Sequence, residues 1–82
     1  MPAKIKITRL TDNNIWALKE TLTPDELRSV TLGRTTAEFD MLGTDALNMV
    51  QQAQGRAGAA YGTRGHPYQS LHAVIRKLRY RD

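Results

Sequence analysis

The stretch Thr11-Asp12-Asn13-Asn14-Ile15-Trp16-Ala17-Leu18-Lys19-Glu20-Thr21-Leu22 decides the fold, because two self-consistent readings compete for it. In the first, Asp12 caps a helix running from about Asn14 to Leu22, with Ile15, Leu18 and Leu22 on one face. In the second, Thr11 to Asn14 turn a hairpin and Ile15 to Leu22 return as a strand, which puts Trp16, Leu18 and Leu22 on one side. The run Ala17-Leu18-Lys19-Glu20 favours the helix, since these side chains lose little rotamer freedom there. Trp16 reads as a core residue in this setting.

Upstream, Ala3-Lys4-Ile5-Lys6-Ile7-Thr8-Arg9-Leu10 alternates polar and apolar residues with the period of a half-buried strand. If residues 15–22 are helical, that strand needs a later strand or a second copy of the chain, because a lone strand leaves its backbone groups unpaired.

Downstream, Thr23-Pro24-Asp25-Glu26 is a helix start: a threonine cap, proline at the first position and acids in the first turn. The expected end is near Leu32-Gly33, where glycine suits a left-handed cap. Thr35 and Glu38 have the spacing of a capping box, and Phe39, Leu42, Ala46, Val50 and Ala53 follow at helical steps. Gly43 within that pattern marks a bend or a close backbone approach. Gly55, Gly58, Gly62 and Gly65 lie within eleven residues and read as a loop or a frayed helix end. Pro67 opens a last helix with Leu71, Val74, Ile75 and Leu78 on one stripe.

The expected fold is α+β: a mostly helical small domain, of three to four helices, with an N-terminal β-strand or β-hairpin. Its core draws on Leu18, Leu22, Leu27, Phe39, Leu42, Val50, Leu71, Ile75 and Leu78. The 82 residues form one domain, 1–82. A chain of this size buries only about 60% of its unfolded surface, so a homodimer sharing its core is a possible assembly. No cysteine is present, which excludes a disulfide framework and thiolate chemistry. No apolar run approaches the ~18 residues of a membrane span, and Met1-Pro2-Ala3-Lys4 has no apolar region behind it, so neither a membrane nor a signal peptide is expected. The cytoplasm is the default compartment.

The net charge of +4 is unevenly spread. Residues 1–10 carry +3 through Lys4, Lys6 and Arg9. Residues 11–55 carry three bases against seven acids, −4, and residues 56–82 carry six bases against Asp82, +5. Basic ends around an acidic middle either pair within the molecule or meet a polyanion.

Catalytic signals are thin. His66 and His72 lie near Ser70, but a nucleophile and base are recognised by geometry rather than spacing. The acids cluster at helix starts, where capping accounts for them. No metal-ligand spacing, Walker loop or dinucleotide fingerprint occurs, so no cofactor is expected. The chain reads as a non-enzymatic basic binding module contacting nucleic acid, or a nucleic-acid-handling complex, through its C-terminal loop and helix. The residues proposed to carry it are Arg56 and Arg64 in the loop, and Arg76, Lys77, Arg79, Tyr80 and Arg81 on the helix. The cations would neutralise phosphates, and Tyr80 would stack on a base. Lys4, Lys6 and Arg9 form a possible second surface. The alternative is a phage- or plasmid-type inhibitor or adaptor. It would bind a larger host complex, through an acidic or nucleic-acid-binding protein surface, without touching nucleic acid.

Lys4-Ile5-Lys6-Ile7-Thr8, a following helix, and Gly33-Arg34-Thr35-Thr36-Ala37-Glu38-Phe39 together resemble the ribbon–helix–helix DNA-binding family. The resemblance covers about half the chain and implies a dimer whose paired strands place Lys4, Lys6 and Thr8 toward DNA. The stretch from Asp12 to Gly33, interrupted by Pro24, departs from it, being too long for that family's first helix.

Overall fold

A computed structural model describes residues 4–80 of the chain. The elements run β1 (Ile5–Ile7), α1 (Asp12–Thr21), α2 (Pro24–Leu27), β2 (Val30–Leu32), β3 (Ala37–Phe39), α3 (Gly43–Tyr61) and α4 (His66–Tyr80). This is an α+β domain, four helices and a three-stranded antiparallel sheet ordered β1-β3-β2.

The deciding stretch is helical. Its cap is Thr11 rather than Asp12: the Thr11 hydroxyl accepts from the Asn14 amide at 3.2 Å, and Asn14 Oδ1 accepts from the Thr11 amide at 3.0 Å. Asn14 closes the box and also donates from Nδ2 to the Ser70 carbonyl of α4 at 2.9 Å. One buried amide therefore both starts α1 and ties it to α4. Ile15, Ala17, Leu18 and Leu22 are buried, while Trp16 leaves the opposite side of the helix and stays 41% exposed, so it is not a core residue.

β1 finds its partner within the chain. Ile5 pairs with Phe39, Lys6 with Glu38 and Ile7 with Ala37. The ribbon of the resembled family, made between two chains, is replaced here by an internal sheet, and two strands separate α2 from α3.

Two expectations about helices fail for one reason. α2 starts as predicted, with Thr23 and Glu26 in a reciprocal box, but it lasts a single turn rather than reaching Leu32. The expected helix start at Thr35–Glu38 is instead the start of β3. Val30, Ala37 and Phe39 alternate inward, and Val30 pairs with Phe39 as Leu32 does with Ala37. Burying Phe39 fully, with its backbone in ladder bonds, overrides a local capping pattern made of the same residues. The Asp40 amide extends the ladder to the Ser29 carbonyl at 2.8 Å.

α3 begins later, at Gly43, with Leu42 in the cap position and no side-chain cap bond. Gly43 is thus a helix start rather than a bend, and Leu42 lies 59% exposed rather than in the core. Ala46, Val50, Ala53 and Ala57 form the buried stripe. The helix runs through the glycine-rich stretch expected to be loop and ends at Tyr61. Gly62 takes φ 85°, a conformation that favours glycine, and lets the chain reverse into α4. At Gly58 a Cβ would stand 3.1 Å from the Tyr68 ring, so the missing side chain sets how closely α3 and α4 approach.

α4 packs against both α1 and α3. Its predicted stripe, Leu71, Val74, Ile75 and Leu78, is buried in one core with Ile7, Leu18, Phe39 and Val50. Leu27 lies at the margin of this core.

Candidate nucleic-acid interface

The apolar stripe of α4 leaves its other faces to solvent, and helical spacing sorts the polar residues there. Arg76 and Tyr80 are one turn apart and form an outward ridge; both are exposed, Tyr80 by 66%. On one flank a groove of about 330 Å³ runs between α3 and α4, lined by Gln51, Gln54, His72, Arg76, Arg79 and Tyr80. On the other flank a shallower hollow of about 270 Å³ is lined by Ala73, Arg76, Lys77 and Tyr80. Four of the predicted residues, Arg76, Lys77, Arg79 and Tyr80, therefore share one surface. Sequence reasoning missed Gln51, Gln54 and His72. The glutamines carried a signal, being three apart on the polar side of α3.

No ion pair joins Arg64, Arg76, Lys77 or Arg79 to another described residue. The sequence has no Asp or Glu between Asp45 and Asp82, so most of α3 and all of α4 lack a countercharge of their own. Lys77 and Arg79 lie in the last turn of α4, where the partial negative charge of the helix terminus favours cations. Fixed cations with an aromatic ring among them and no adjacent carboxylate can hold phosphates and stack a base.

The remaining predicted residues lie elsewhere. Arg56 belongs to α3, not to a loop, and is committed internally. Its Nη2 donates to the Thr21 carbonyl at 2.9 Å and to Glu26 Oε1 at 2.7 Å, pinning the end of α1 and the start of α2 onto α3. Arg64 is exposed in the turn between α3 and α4 and lines neither groove. Arg81 lies outside the described residues.

The second predicted surface is divided. Lys4 reaches Glu38 at 3.7 Å, and Lys6 stands opposite Glu38 in the sheet, so the β1 lysines face an acid. Arg9, in the left-handed region at φ 59°, is separate from them. Its neighbour Leu10 donates its amide to the Thr35 carbonyl at 2.8 Å, which places Arg9 beside the β2–β3 turn that carries Arg34. At that end, Asp12, Ile15, Trp16, Lys19, Gly33 and Arg34 line a pocket of about 300 Å³.

Among the described residues no hydrogen bond joins Ser29 or Ser70 to a histidine, and no three metal-ligating side chains cluster. No described helix is long and apolar enough to cross a membrane. Comparison with protein families, curated proteins and solved structures returns no match for this chain.

Proposed function

We propose that this protein is a non-enzymatic nucleic-acid-binding module whose contact surface is the outer face of α4 and its groove with α3. The observation that carries the reading is the grouping of Arg76, Lys77, Arg79 and Tyr80 on a surface to which no described residue contributes a carboxylate. Arg76 and Arg79 meet phosphates on one flank and Lys77 on the other, while Gln51 and Gln54 offer hydrogen bonds within the groove. Tyr80 supplies a stacking face for an unpaired base. No step of this requires a cofactor.

The experiment is a fluorescence-anisotropy titration against duplex DNA, single-stranded DNA and RNA over a range of salt. Each phosphate neutralised contributes a slope of about −0.9 in log K against log salt on duplex. Three α4 cations on the backbone thus predict a slope of roughly −2 to −3. Affinity that does not change with salt would overturn the reading.

A second reading has its own observation. Leu42 at 59% exposure and Trp16 at 41% are large apolar side chains left in solvent. They suit a protein-binding inhibitor or adaptor anchored by apolar contacts, and this reading predicts a defined protein partner with weak salt dependence.

A further inference from the structure

Trp16 is the single tryptophan of the chain, and it stands with 41% of its surface exposed on the side of α1 away from the core. It lines the pocket between α1 and the β2–β3 turn with Lys19, one helical turn on, and Arg34 from the turn itself. The turn is held in place. Gly33 donates its amide to the Thr36 carbonyl at 2.8 Å, and Leu10 donates to Thr35 at 2.8 Å. Neither Lys19 nor Arg34 pairs with a described acid.

We propose that this pocket takes one nucleotide of a single-stranded nucleic acid, with the base stacked on the Trp16 indole and the adjoining phosphate held by Arg34 and Lys19. A flat π surface beside two cations suits a ligand that carries a flat ring and an anion in one unit. A nucleotide does so, whereas a carboxylate side chain supplies the anion without a ring. Asp12, the one carboxylate in the pocket, accepts hydrogen bonds only. It faces a donor on the base edge or sugar and opposes a second phosphate, which sets the orientation of the strand. The inference rests on the nucleic-acid reading of the protein but not on the α4 surface, so the chain has two separate contact regions.

The test uses the intrinsic fluorescence of Trp16 in the full chain, titrated with a short mixed-sequence single-stranded DNA. The α4 surface is read in parallel by anisotropy of a labelled duplex. The expected result is saturable quenching that weakens with rising salt. Lys19→Ala with Arg34→Ala weakens it about tenfold, while duplex binding stays within about twofold. Both side chains are exposed, and matching thermal melts by circular dichroism establish that the double variant is folded. Single-stranded binding with no change in Trp16 fluorescence overturns the proposal, as does quenching unaffected by the double variant. Equal quenching by an oligoglutamate peptide overturns it in favour of an acidic protein ligand. Failure of the α4 reading gives a different pattern: no duplex binding, with Trp16 quenching intact.

Discussion

The two halves of this molecule use their charges differently. In the N-terminal half, cations meet acids across elements: Lys4, just before β1, with Glu38 of β3, and Glu26 of α2 with Arg56, a cation of α3 drawn back to that half. Arg28 and Asp25 pair locally at 3.5 Å. On α4, Arg76, Lys77 and Arg79 pair with no described acid, and the sequence holds no Asp or Glu from residue 46 to residue 81. Three acids of the N-terminal half, Asp25, Glu26 and Glu38, enter ion pairs, whereas none of the described α4 cations does. The overall +4 conceals this, because it averages a region that carries acids with one that has almost none.

The contrast predicts that charge removal separates stability from binding. The largest effect belongs to Arg76→Ala, Lys77→Ala and Arg79→Ala combined. Duplex affinity at low salt falls about thirtyfold or more, with the salt slope reduced by roughly 2 to 3. The melting temperature changes little, because no ion pair among the described residues is broken and relief of mutual repulsion offsets the lost interaction of Lys77 and Arg79 with the helix terminus. A large loss of stability in this variant, measured by urea unfolding, would break the comparison.

Arg56→Ala is the converse. It removes the side-chain donor to the Thr21 carbonyl and leaves Glu26 with the Thr23 amide alone, and should cost about 1 kcal/mol in urea unfolding. Its charge-assisted bonds are partly solvent-screened, which keeps the cost at that level. Duplex affinity stays within about twofold, although Arg56 looks from sequence like part of the basic surface. The smallest effect is Lys4→Ala: its pair with Glu38 is long and more than half exposed on the lysine side, so unfolding changes by less than about 0.5 kcal/mol.

These residues also mark how far the sequence could be read. The α4 stripe and its exposed cations were legible because helical periodicity over a long segment separates the faces without tertiary information. The helical reading of residues 15–22 also holds, though its cap lay one residue earlier, since Thr11 with Asn14 forms a box that uses an amide in place of the usual acid. The sheet was largely hidden. Each strand has three residues, too short for alternation to stand out, and β3 overlaps a convincing helix-start motif. Only pairing with β1 and β2 decides between the two. Arg56 was misplaced for a related reason: glycines at 55 and 58 suggested a loop, yet burial of Ala53 and Ala57 carries the helix through them. The position of Trp16 was available in the sequence. Once Ile15, Leu18 and Leu22 define the inner face, helical geometry sends Trp16 outward.

The placement of β1 has a consequence for how the chain folds. β2 and β3 are joined by a short turn and can close early, whereas β1 must wait until α1, α2 and the hairpin have all been laid down before Phe39 is available to it. Sequence-distant pairing of this kind incurs its chain-closure entropy before its contacts are gained. On this ground β1 is expected to dock last and to release first, which amide exchange tests. Departure of that strand alone would bare the Phe39 edge of the sheet, and the expected sign is amide exchange at Ile5 to Ile7 ahead of the rest of the core.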